Sequence, residues 1–228
     1  MSSGDSIACP MGASSSGMPS TGASPTGTIK TIAELESIYG EPLERALTKE
    51  IGYISEQYKT FIEMSPFLMI ASVGPEGMDC SPRGDPPGFV QVADSSTVLI
   101  PDRRGNNRID TLRNIVRDPR VSLLFLIPGI GETVRINGHA TISADAALCE
   151  RFVMKDQLPR SVICVTAQRV YFQCQKALAR SRLWQADAQV ARSDVPTAGA
   201  FLQALSDSSF DGDEYDRNYP QHMQKTIY

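Results

Sequence analysis

Seven short runs with strand-like patterns follow Pro66 and constrain the fold of this chain more than any other feature. Turn-forming sequences such as Gly74-Pro-Glu-Gly77 and Asp94-Ser-Ser96 separate them. The predicted strands are 67–73, 78–83, 88–93, 97–101, 121–127, 133–143 and 161–172. Seven strands at this spacing, with few helices between them, predict a closed or nearly closed antiparallel barrel rather than a parallel sheet.

Helical patterns flank these strands. Thr31 and Glu34 have the spacing of a capping box, in which each side chain accepts a hydrogen bond from the other residue's amide, and Gly40 ends the predicted helix. A broken apolar stripe after Pro42 continues to residue 62 and predicts further helical packing elements. Three more helices are predicted, at 107–117, near 146–154 and near 197–205.

The charge and the metal-binding residue types limit the classes of ligand. The formal net charge is -4 and the pI is about 5.3, which argues against non-specific binding to nucleic acid. No run approaches the roughly 18 apolar residues of a membrane span. Because the chain has only two histidines and its five cysteines never form a CxxC pair, we expect reduced thiols and no metal site.

Composition divides the chain into three parts. Residues 1–29 form a predicted disordered tail, because nineteen of the first 28 residues are Ser, Gly, Thr or Pro and only Asp5 is charged. This tail resembles neither a secretory signal nor a transit peptide, so we expect a cytoplasmic location. Residues 30–186 form the predicted barrel domain with its N-terminal helices. Residues 187–228 are expected either to wrap the barrel or its partner, or to be a loosely ordered extension.

An arginine-rich segment marks the predicted anion site. Residues 101–120 contain six arginines, three aspartates and no lysine, and the densest part is Pro101-Asp-Arg-Arg-Gly-Asn-Asn-Arg108. The planar guanidinium group is suited to bidentate contact with phosphate or carboxylate. Asn106 or Asn107 is predicted to cap the helix that begins near Arg108, so that free amides and arginine side chains converge on one anion.

The alternative is an ordinary solvated helix end. In that case the arginines cover apolar surface and pair with Asp102 and Asp110. A second cluster, Ser81-Pro-Arg-Gly-Asp85, favours the anion site. Arg83 is the last residue of a neighbouring predicted strand and can supply a further hydrogen-bond donor.

With these motifs the sequence resembles the pyridoxamine 5'-phosphate oxidase-like flavoproteins. The matching residues occur in order over about half of the chain, and such a set is far more specific than any single motif. They are Ser65-Pro-Phe67, Ser81-Pro-Arg-Gly-Asp85, Pro87-Gly-Phe89, Pro101-Asp102, Gly105-Asn-Asn-Arg108, Asn114-Ile115, Phe125-Leu-Ile-Pro-Gly129, Val134-Arg-Ile-Asn-Gly138, Lys176-Ala177, Arg180-Ser181 and Leu183-Trp184.

The resemblance implies a mainly β fold with flanking helices, a six-stranded antiparallel split β-barrel of Greek-key topology. It also implies a homodimer that binds FMN at the subunit interface. Arg83, Arg103 and Arg108 would hold the phosphate, while Thr133 and Arg135 would come from the other subunit. The implied cofactor-binding residues are Ser81, Arg83, Ile100, Pro101, Asp102, Arg103, Asn107, Arg108, Thr133, Arg135, Lys176, Ser181 and Trp184.

Lys176 and Arg180 lie four residues apart and are predicted to share a helix face that Trp184 continues. Such a stripe of basic and aromatic side chains could reach the flavin or its phosphate. The alternative is that Trp184 buries its indole ring in the dimer contact, since tryptophan often anchors interfaces.

The function that the resemblance implies is FMN-dependent oxidoreduction, with hydride transfer through flavin N5 to or from a small planar substrate and with NADH or NADPH as a candidate donor. Pyridoxamine 5'-phosphate oxidases proper end with an Arg-Leu-His element that helps to bind the substrate, and no such pattern follows Trp184. We therefore do not expect pyridoxamine phosphate to be the substrate. The alternative is a non-catalytic module that binds flavin or haem, and the sequence identifies no catalytic side chain.

Overall fold

The computed structural model describes residues 27–206 and 209–228. Apart from residues 27–29, the predicted N-terminal tail lies outside these ranges. The chain divides into two compact units, one that ends at Pro42 and one that comprises Leu43–Tyr228. Across the described ranges, every helix is too short or too polar to cross a lipid bilayer.

Helix α1, at Ile32–Tyr39, belongs to the first unit. Thr31 Oγ1 accepts a hydrogen bond from the amide of Glu34 at 3.2 Å, and the Glu34 carboxylate accepts one from the amide of Thr31 at 3.3 Å. Gly40 ends the helix with a φ of 67°, which glycine adopts without steric strain. The predicted capping box and stop are confirmed.

The second unit is built on one antiparallel sheet. Its strands are β1 (Phe67–Gly74), β2 (Gly77–Gly84), β3 (Gln91–Val92), β4 (Thr97–Asp102), β5 (Arg120–Leu126), β6 (Thr133–Ser143) and β7 (Ser161–Gln173). Their spatial order is β2-β1-β5-β6-β7-β4-β3. The predicted antiparallel, mainly β class is confirmed, and six of the seven predicted strands differ only at their ends.

The predicted strand 88–93 shrinks to the two-residue β3, which pairs with β4. Pro86 and Pro87 have no amide to donate to a ladder, and Gly88 has a φ of 90°, outside the extended region. The sheet therefore has seven strands, one more than the six that the resemblance implied. The additional strand is the short β3, which pairs with β4 at the edge of the sheet.

Alternate strand residues form the main apolar core of the second unit, beside a smaller cluster of Leu99, Cys149, Phe152 and Val162. On β5, Val121, Leu123 and Phe125 are buried while the residues between them are partly exposed. They pack in one cluster with Leu68 and Ile70 of β1. Burial of each such side chain contributes about 1.5–3 kcal/mol. The core is thus built by the middles of the strands, which leaves polar residues at the strand ends to face ligands.

A β-bulge bends β6 at Asn137 and Gly138, where its register with β7 shifts. A Cβ on Gly138 would lie 2.1 Å from the backbone oxygen of Thr166, closer than any real contact. Only glycine fits here, which gives a structural reason for the last residue of the motif 134–138.

The described part of the second unit contains seven α-helices besides the sheet. They are α2 (Glu44–Thr48), α3 (Glu56–Met64), α4 (Asp110–Arg117), α5 (Ala146–Glu150), α6 (Lys176–Ser181), α7 (Ala198–Leu205) and α8 (Gly212–Thr226). The stripe after Pro42 divides into α2 and α3, and the helix predicted near 146–154 is shorter than expected. The helix predicted near 197–205 is confirmed.

Within the predicted extension 187–228, the residues Gly212–Thr226 form helix α8. Asp211 caps α8, because its carboxylate accepts a hydrogen bond from the amide of Glu214 at 2.8 Å. A Cβ on Gly199 would lie 2.1 Å from the oxygen of Gly212, so the backbones of α7 and α8 touch. The two helices therefore pack directly on each other.

Candidate anion-binding site

A cleft of about 980 Å³ lies where the ends of β2 and β4 meet the segment that leads into α4. Asp102 on β4 pairs with Ser161 on β7, which places Arg160 at the same edge. The predicted residues that line this cleft are Ser81, Arg83, Pro101, Asp102, Arg103, Asn107 and Arg108. The topology thus gathers the guanidinium groups of Arg83, Arg103, Arg104, Arg108 and Arg160 around one space.

Arg83 is held at the end of β2 with part of its donor capacity unused. Its Nη1 donates to Ser81 Oγ at 2.7 Å and to the oxygen of Pro82 at 2.9 Å. Its Nη2 lies 3.6 Å from Asp102 Oδ1, which is longer than a hydrogen bond. Its Nε is buried and, among the described residues, lacks a hydrogen-bond partner. Such a buried donor is costly unless a ligand satisfies it.

Arg103 is fixed more tightly than Arg83. Its Nε donates to Asp85 Oδ2 at 2.8 Å and its Nη1 donates to the oxygen of Phe152 at 2.6 Å. The Asp85 side chain is only 2% exposed, so this ion pair is shielded from water. Arg103 therefore has one fixed orientation in the cleft, and the Asp85 carboxylate neutralises much of its positive charge.

Tyr228 completes the arrangement around Asp85. Its hydroxyl donates to Asp85 Oδ1 at 2.7 Å, and its ring lies 5.8 Å from the Arg103 guanidinium carbon and 4.9 Å from Lys155 Nζ. The hydrogen bond to Asp85, with burial, raises the pKa of the Tyr228 hydroxyl above its ordinary value. Tyr228 therefore stays a neutral donor, and it forms one wall of the cleft.

The start of α4 differs from the prediction. The helix begins at Asp110, its N-cap residue is Ile109, and no side chain caps it, so the predicted cap by Asn106 or Asn107 is wrong. The reason is backbone geometry: Asn107 and Ile109 have φ values of 62° and 53°, in the left-handed region, which separates the asparagines from the helix. For Ile109 this conformation costs about 1–2 kcal/mol. Asp110, Thr111 and Leu112 of the uncapped first turn line the cleft.

Arg108 does not extend freely into the cleft. Its Nε and Nη2 contact Asp110 Oδ2 at 2.9 and 2.8 Å, and its side chain is 76% exposed. This is the ion pairing that the solvated-helix alternative predicted for Arg108. An exposed pair of this kind contributes about 0–1 kcal/mol and is easily exchanged for a ligand.

Two further arginines of the cleft are outside the predicted cofactor-binding set. Arg104 makes no hydrogen bond or ion pair with any described residue, and Arg160 donates from Nη1 to Asn107 Oδ1 at 3.1 Å. Arg104 was recognised only as part of the arginine-rich run. Arg160 directly precedes β7, and its position became clear only from the pairing of β7 with β4.

Asp102 gives the cleft a proton-sensitive group. Burial raises the pKa of its carboxyl group above the ordinary value, and the positive charges of Arg83 and Arg160 partly oppose this shift. A bound anion would favour the protonated form further, because two negative charges would otherwise lie close together.

The other predicted residues lie away from the cleft lining. Ile100 is fully buried in the core at the middle of β4. Arg135 on β6 donates to the Tyr171 hydroxyl at 3.1 Å and to Gln173 Oε1 at 3.3 Å. Thr133 pairs with Gln173 at the same end of the sheet, opposite the end that carries Ser161. The remaining predicted residues outside the cleft lining are Lys176, Ser181 and Trp184.

Trp184 does not continue the helix face of Lys176 and Arg180, so this prediction is wrong. Helix α6 ends at Ser181, and Arg182 follows in a left-handed conformation with a φ of 55°. Trp184 instead donates from its indole nitrogen to the oxygen of Ile130 at 2.8 Å, which fixes it against the β5–β6 turn.

Along β7 the cleft lies at the Ser161 end and the second group lies at the Gln173 end. Across the other strands the two groups are closer, because Arg83 pairs with Leu68, Leu68 with Phe125 and Phe125 with Val134. Three strand spacings of about 4.8 Å therefore separate the backbones of Arg83 and Val134.

Comparison with known families identifies the class of protein. Residues 54–174 match the model of the pyridoxamine 5'-phosphate oxidase family. The chain belongs to the pyridoxamine 5'-phosphate oxidase family, and its antiparallel sheet with flanking helices is the split barrel of that family. Comparison with curated proteins finds no significant match.

Several solved structures are similar to about half of this chain at low sequence identity and low TM-score. HupZ of Group A Streptococcus is 20% identical over 51% of this chain and 91% of its own, with a TM-score of 0.41. An F420 reductase is 16% identical over 53% of this chain and 98% of its own, with a TM-score of 0.38. A Clostridium acetobutylicum protein related to general stress protein 26 is 14% identical over 52% and 86%, with a TM-score of 0.38. The family assignment rests on the match of residues 54–174.

The cleft fits the phosphate end of a flavin mononucleotide. Arg83 Nη2 lies 3.6 Å from Asp102 Oδ1, too far for a hydrogen bond, and Asp110 and Thr111 of the uncapped first turn of α4 line the cleft. These are the donors that bind phosphate at helix starts. The donor set and the position of the cleft at the strand ends therefore agree with this group.

Proposed function

We propose that the protein is an FMN-dependent oxidoreductase that acts on a small planar substrate other than pyridoxamine phosphate. The observation that carries the proposal is the cleft that five arginines line, in which Arg83 Nη2 lies 3.6 Å from Asp102 Oδ1, too far for a hydrogen bond. A phosphate group would accept charge-assisted hydrogen bonds from guanidinium donors of this kind.

The residues of the cleft would divide the binding of FMN among them. Arg83 would donate to the phosphate, and Arg103, which is fixed by Asp85, would orient it. Arg108 would exchange its exposed pair with Asp110 for the ligand. When bound, FMN supplies hydride transfer through its N5 atom, and NADH or NADPH is the proposed donor.

We propose that a homodimer completes the site. Thr133, Arg135, Lys176, Ser181 and Trp184 do not line the cleft and would come from the partner subunit. Arg135 supports this arrangement because its described hydrogen-bond partners, Tyr171 and Gln173, are neutral, so its full positive charge remains available. A cation of this kind would stabilise the negative charge of the reduced flavin ring.

The phosphate clamp is tested by comparing FMN with riboflavin, which has the same ring system and lacks the phosphate. We expect FMN to bind about 100-fold or more tightly than riboflavin, measured by quenching of flavin fluorescence, because several charge-assisted hydrogen bonds are lost with the phosphate. Equal affinities would show that the arginine cleft does not bind the phosphate.

Catalysis is tested separately with the FMN-loaded protein under anaerobic conditions. We expect NADH or NADPH to bleach the flavin absorbance of the loaded protein faster than that of free FMN. Tight flavin binding without reduction by either donor would favour the non-catalytic flavin module. A Soret band on reconstitution with haem, without flavin uptake, would favour the haem version.

A further inference from the structure

A second cavity, of about 1020 Å³, lies between α8 and the loop at residues 104–106. It shares Arg104, Gly105, Asn106 and Ile227 with the first cleft, so the two spaces are neighbours. None of the predicted cofactor-binding residues lines it. Its composition is also different, because α8 contributes a row of aromatic and apolar side chains.

The aromatic row follows one face of α8. Tyr215, Tyr219 and Met223 are spaced by four residues, which places them on the same side of the helix. The rings of Tyr215 and Tyr219 are stacked, with centroids 5.5 Å apart, and Phe210 extends the row at 5.6 Å from Tyr215. Tyr219 and Met223 each remain 43% exposed. A flat aromatic ligand could continue this stack.

Charge is distributed unevenly along this cavity. Arg104 also lines a smaller cleft with Tyr228, so it lies at the C-terminal end of α8. Asp211 and Glu214 line the cavity at the first turn of the same helix. From Glu214 to Thr226 the helix rises about 18 Å at 1.5 Å per residue. The cavity therefore has a cation at one end, carboxylates at the other and aromatic rings between them.

Arg104 is the positive charge that the neighbouring residues leave uncompensated. Arg103 is paired with Asp85 and Arg108 is paired with Asp110, whereas Arg104 makes no hydrogen bond or ion pair with the described residues. An unpaired guanidinium beside an aromatic row recognises an anionic group on a flat molecule.

We propose that this second cavity binds a planar aromatic molecule that carries an anionic group at one end and a hydrogen-bond donor at the other. The anionic group contacts Arg104, the rings stack on Tyr219, and the donor faces Asp211 and Glu214. The ligand is a small molecule, because charge complementarity is confined to the two ends of the cavity. This site is separate from the proposed FMN site, and its occupancy is measurable whether or not flavin is bound.

The probe is 6-hydroxy-2-naphthoate, whose carboxylate and hydroxyl group lie at opposite ends of a flat ring system. We expect it to bind the full chain about tenfold more tightly than 2-naphthol, which lacks the carboxylate, and than cyclohexanecarboxylate, which lacks the aromatic rings. Isothermal titration calorimetry measures the three affinities with and without saturating FMN.

Two variants locate the probe. Tyr219→Ala and Arg104→Gln are each expected to weaken 6-hydroxy-2-naphthoate about tenfold, and Tyr219→Phe is expected to retain most of the affinity because it keeps the ring. Tyr53→Ala and Arg113→Gln, exposed residues outside both cavities, are the matched controls and should bind the probe like the unmodified chain. Arg104→Gln changes an exposed side chain and keeps the test valid if Tyr219→Ala unfolds α8.

Three results would overturn the proposal. The first is equal affinity for all three probes, and the second is unchanged binding in both Tyr219→Ala and Arg104→Gln. The third is complete displacement of 6-hydroxy-2-naphthoate by FMN, which would place both molecules in the first cleft. If the probe binds as expected while FMN does not bind at all, the ligand site in the second cavity is supported and the proposed FMN-dependent function is contradicted.

Discussion

The two ends of β7 carry polar residues of opposite character. At the Ser161 end, five arginines line a cleft together with the carboxylates of Asp79, Asp85, Asp102 and Asp110. This end has a shaped binding space, but the carboxylates neutralise most of the positive charge of its arginines. At the Gln173 end, the described partners of Arg135 are neutral, so its charge is undiminished. Each end of β7 thus supplies what the other lacks, which is the arrangement expected when a two-fold axis brings the two ends of different protomers to one ligand.

The largest effect is expected from the buried arginine of the cleft. Arg83→Gln should weaken FMN about 100-fold, because it removes a partly buried, charge-assisted donor from the phosphate. Fluorescence titration with FMN measures this, and Arg113→Gln, an exposed arginine on α4, is the matched control. Affinity that is unchanged in Arg83→Gln would remove the cleft from the binding site.

A smaller loss is expected from the opposite end of the sheet. Arg135→Gln should weaken FMN about tenfold and leave the fold intact, because a single cation near the flavin ring is lost from a half-buried position. The same titration measures it, with a thermal melt to verify folding. If FMN affinity is unaffected although the protein is dimeric, the two ends of β7 do not meet at one ligand.

We expect the pH to change FMN affinity through the cleft at the Ser161 end of β7 and not through the Gln173 end. Because burial raises the pKa of Asp102, this carboxyl group takes up a proton as pH falls, and FMN should bind more tightly as that charge disappears. The same shift means that Asp102 contributes to stability below its unfolded pKa and that this contribution is lost as pH rises through the raised pKa. Asp102→Asn should therefore flatten the pH dependence of FMN affinity over the pH range in which Asp102 titrates. A pH profile that matches the unmodified chain would contradict this role.

The smallest effect is expected at the wall of the cleft. Tyr228→Phe removes the hydrogen bond to Asp85 but keeps the ring beside Arg103 and Lys155, and it should weaken FMN only about threefold. Tyr228→Ala, which removes the ring as well, should weaken FMN binding by a larger factor. Equal affinities for the two variants would show that the ring does not form part of the site.

Most of the fold could be predicted from alternation and turn residues, because these depend on local sequence. The helix from Gly212 to Thr226 could not, since Pro220 and the polar composition argued against it, and only its packing on α7 through Gly199 explains its stability. The left-handed conformation of Ile109 was equally hidden, because a β-branched residue is rarely found there.

The candidate site was predicted in part for the same reason. Arg83 and Arg103 lie in recognisable motifs, and the structure brings both to the cleft. Arg160 has no local signal, because its position depends on the pairing of β7 with β4, and the ion pairs of Arg103 with Asp85 and of Arg108 with Asp110 depend on three-dimensional geometry. Sequence patterns identify the arginine donors, whereas the three-dimensional geometry determines which of these arginines form ion pairs with aspartates.

Subunit complementation tests most directly whether two protomers build one FMN site. Chains with Arg83→Gln and chains with Arg135→Gln are unfolded together, refolded at equal concentrations and titrated with FMN. In mixed dimers one site has both native arginines, so random pairing should restore about a quarter of the native high-affinity sites. Restoration of none, in mixtures shown to contain mixed dimers, would contradict the shared site.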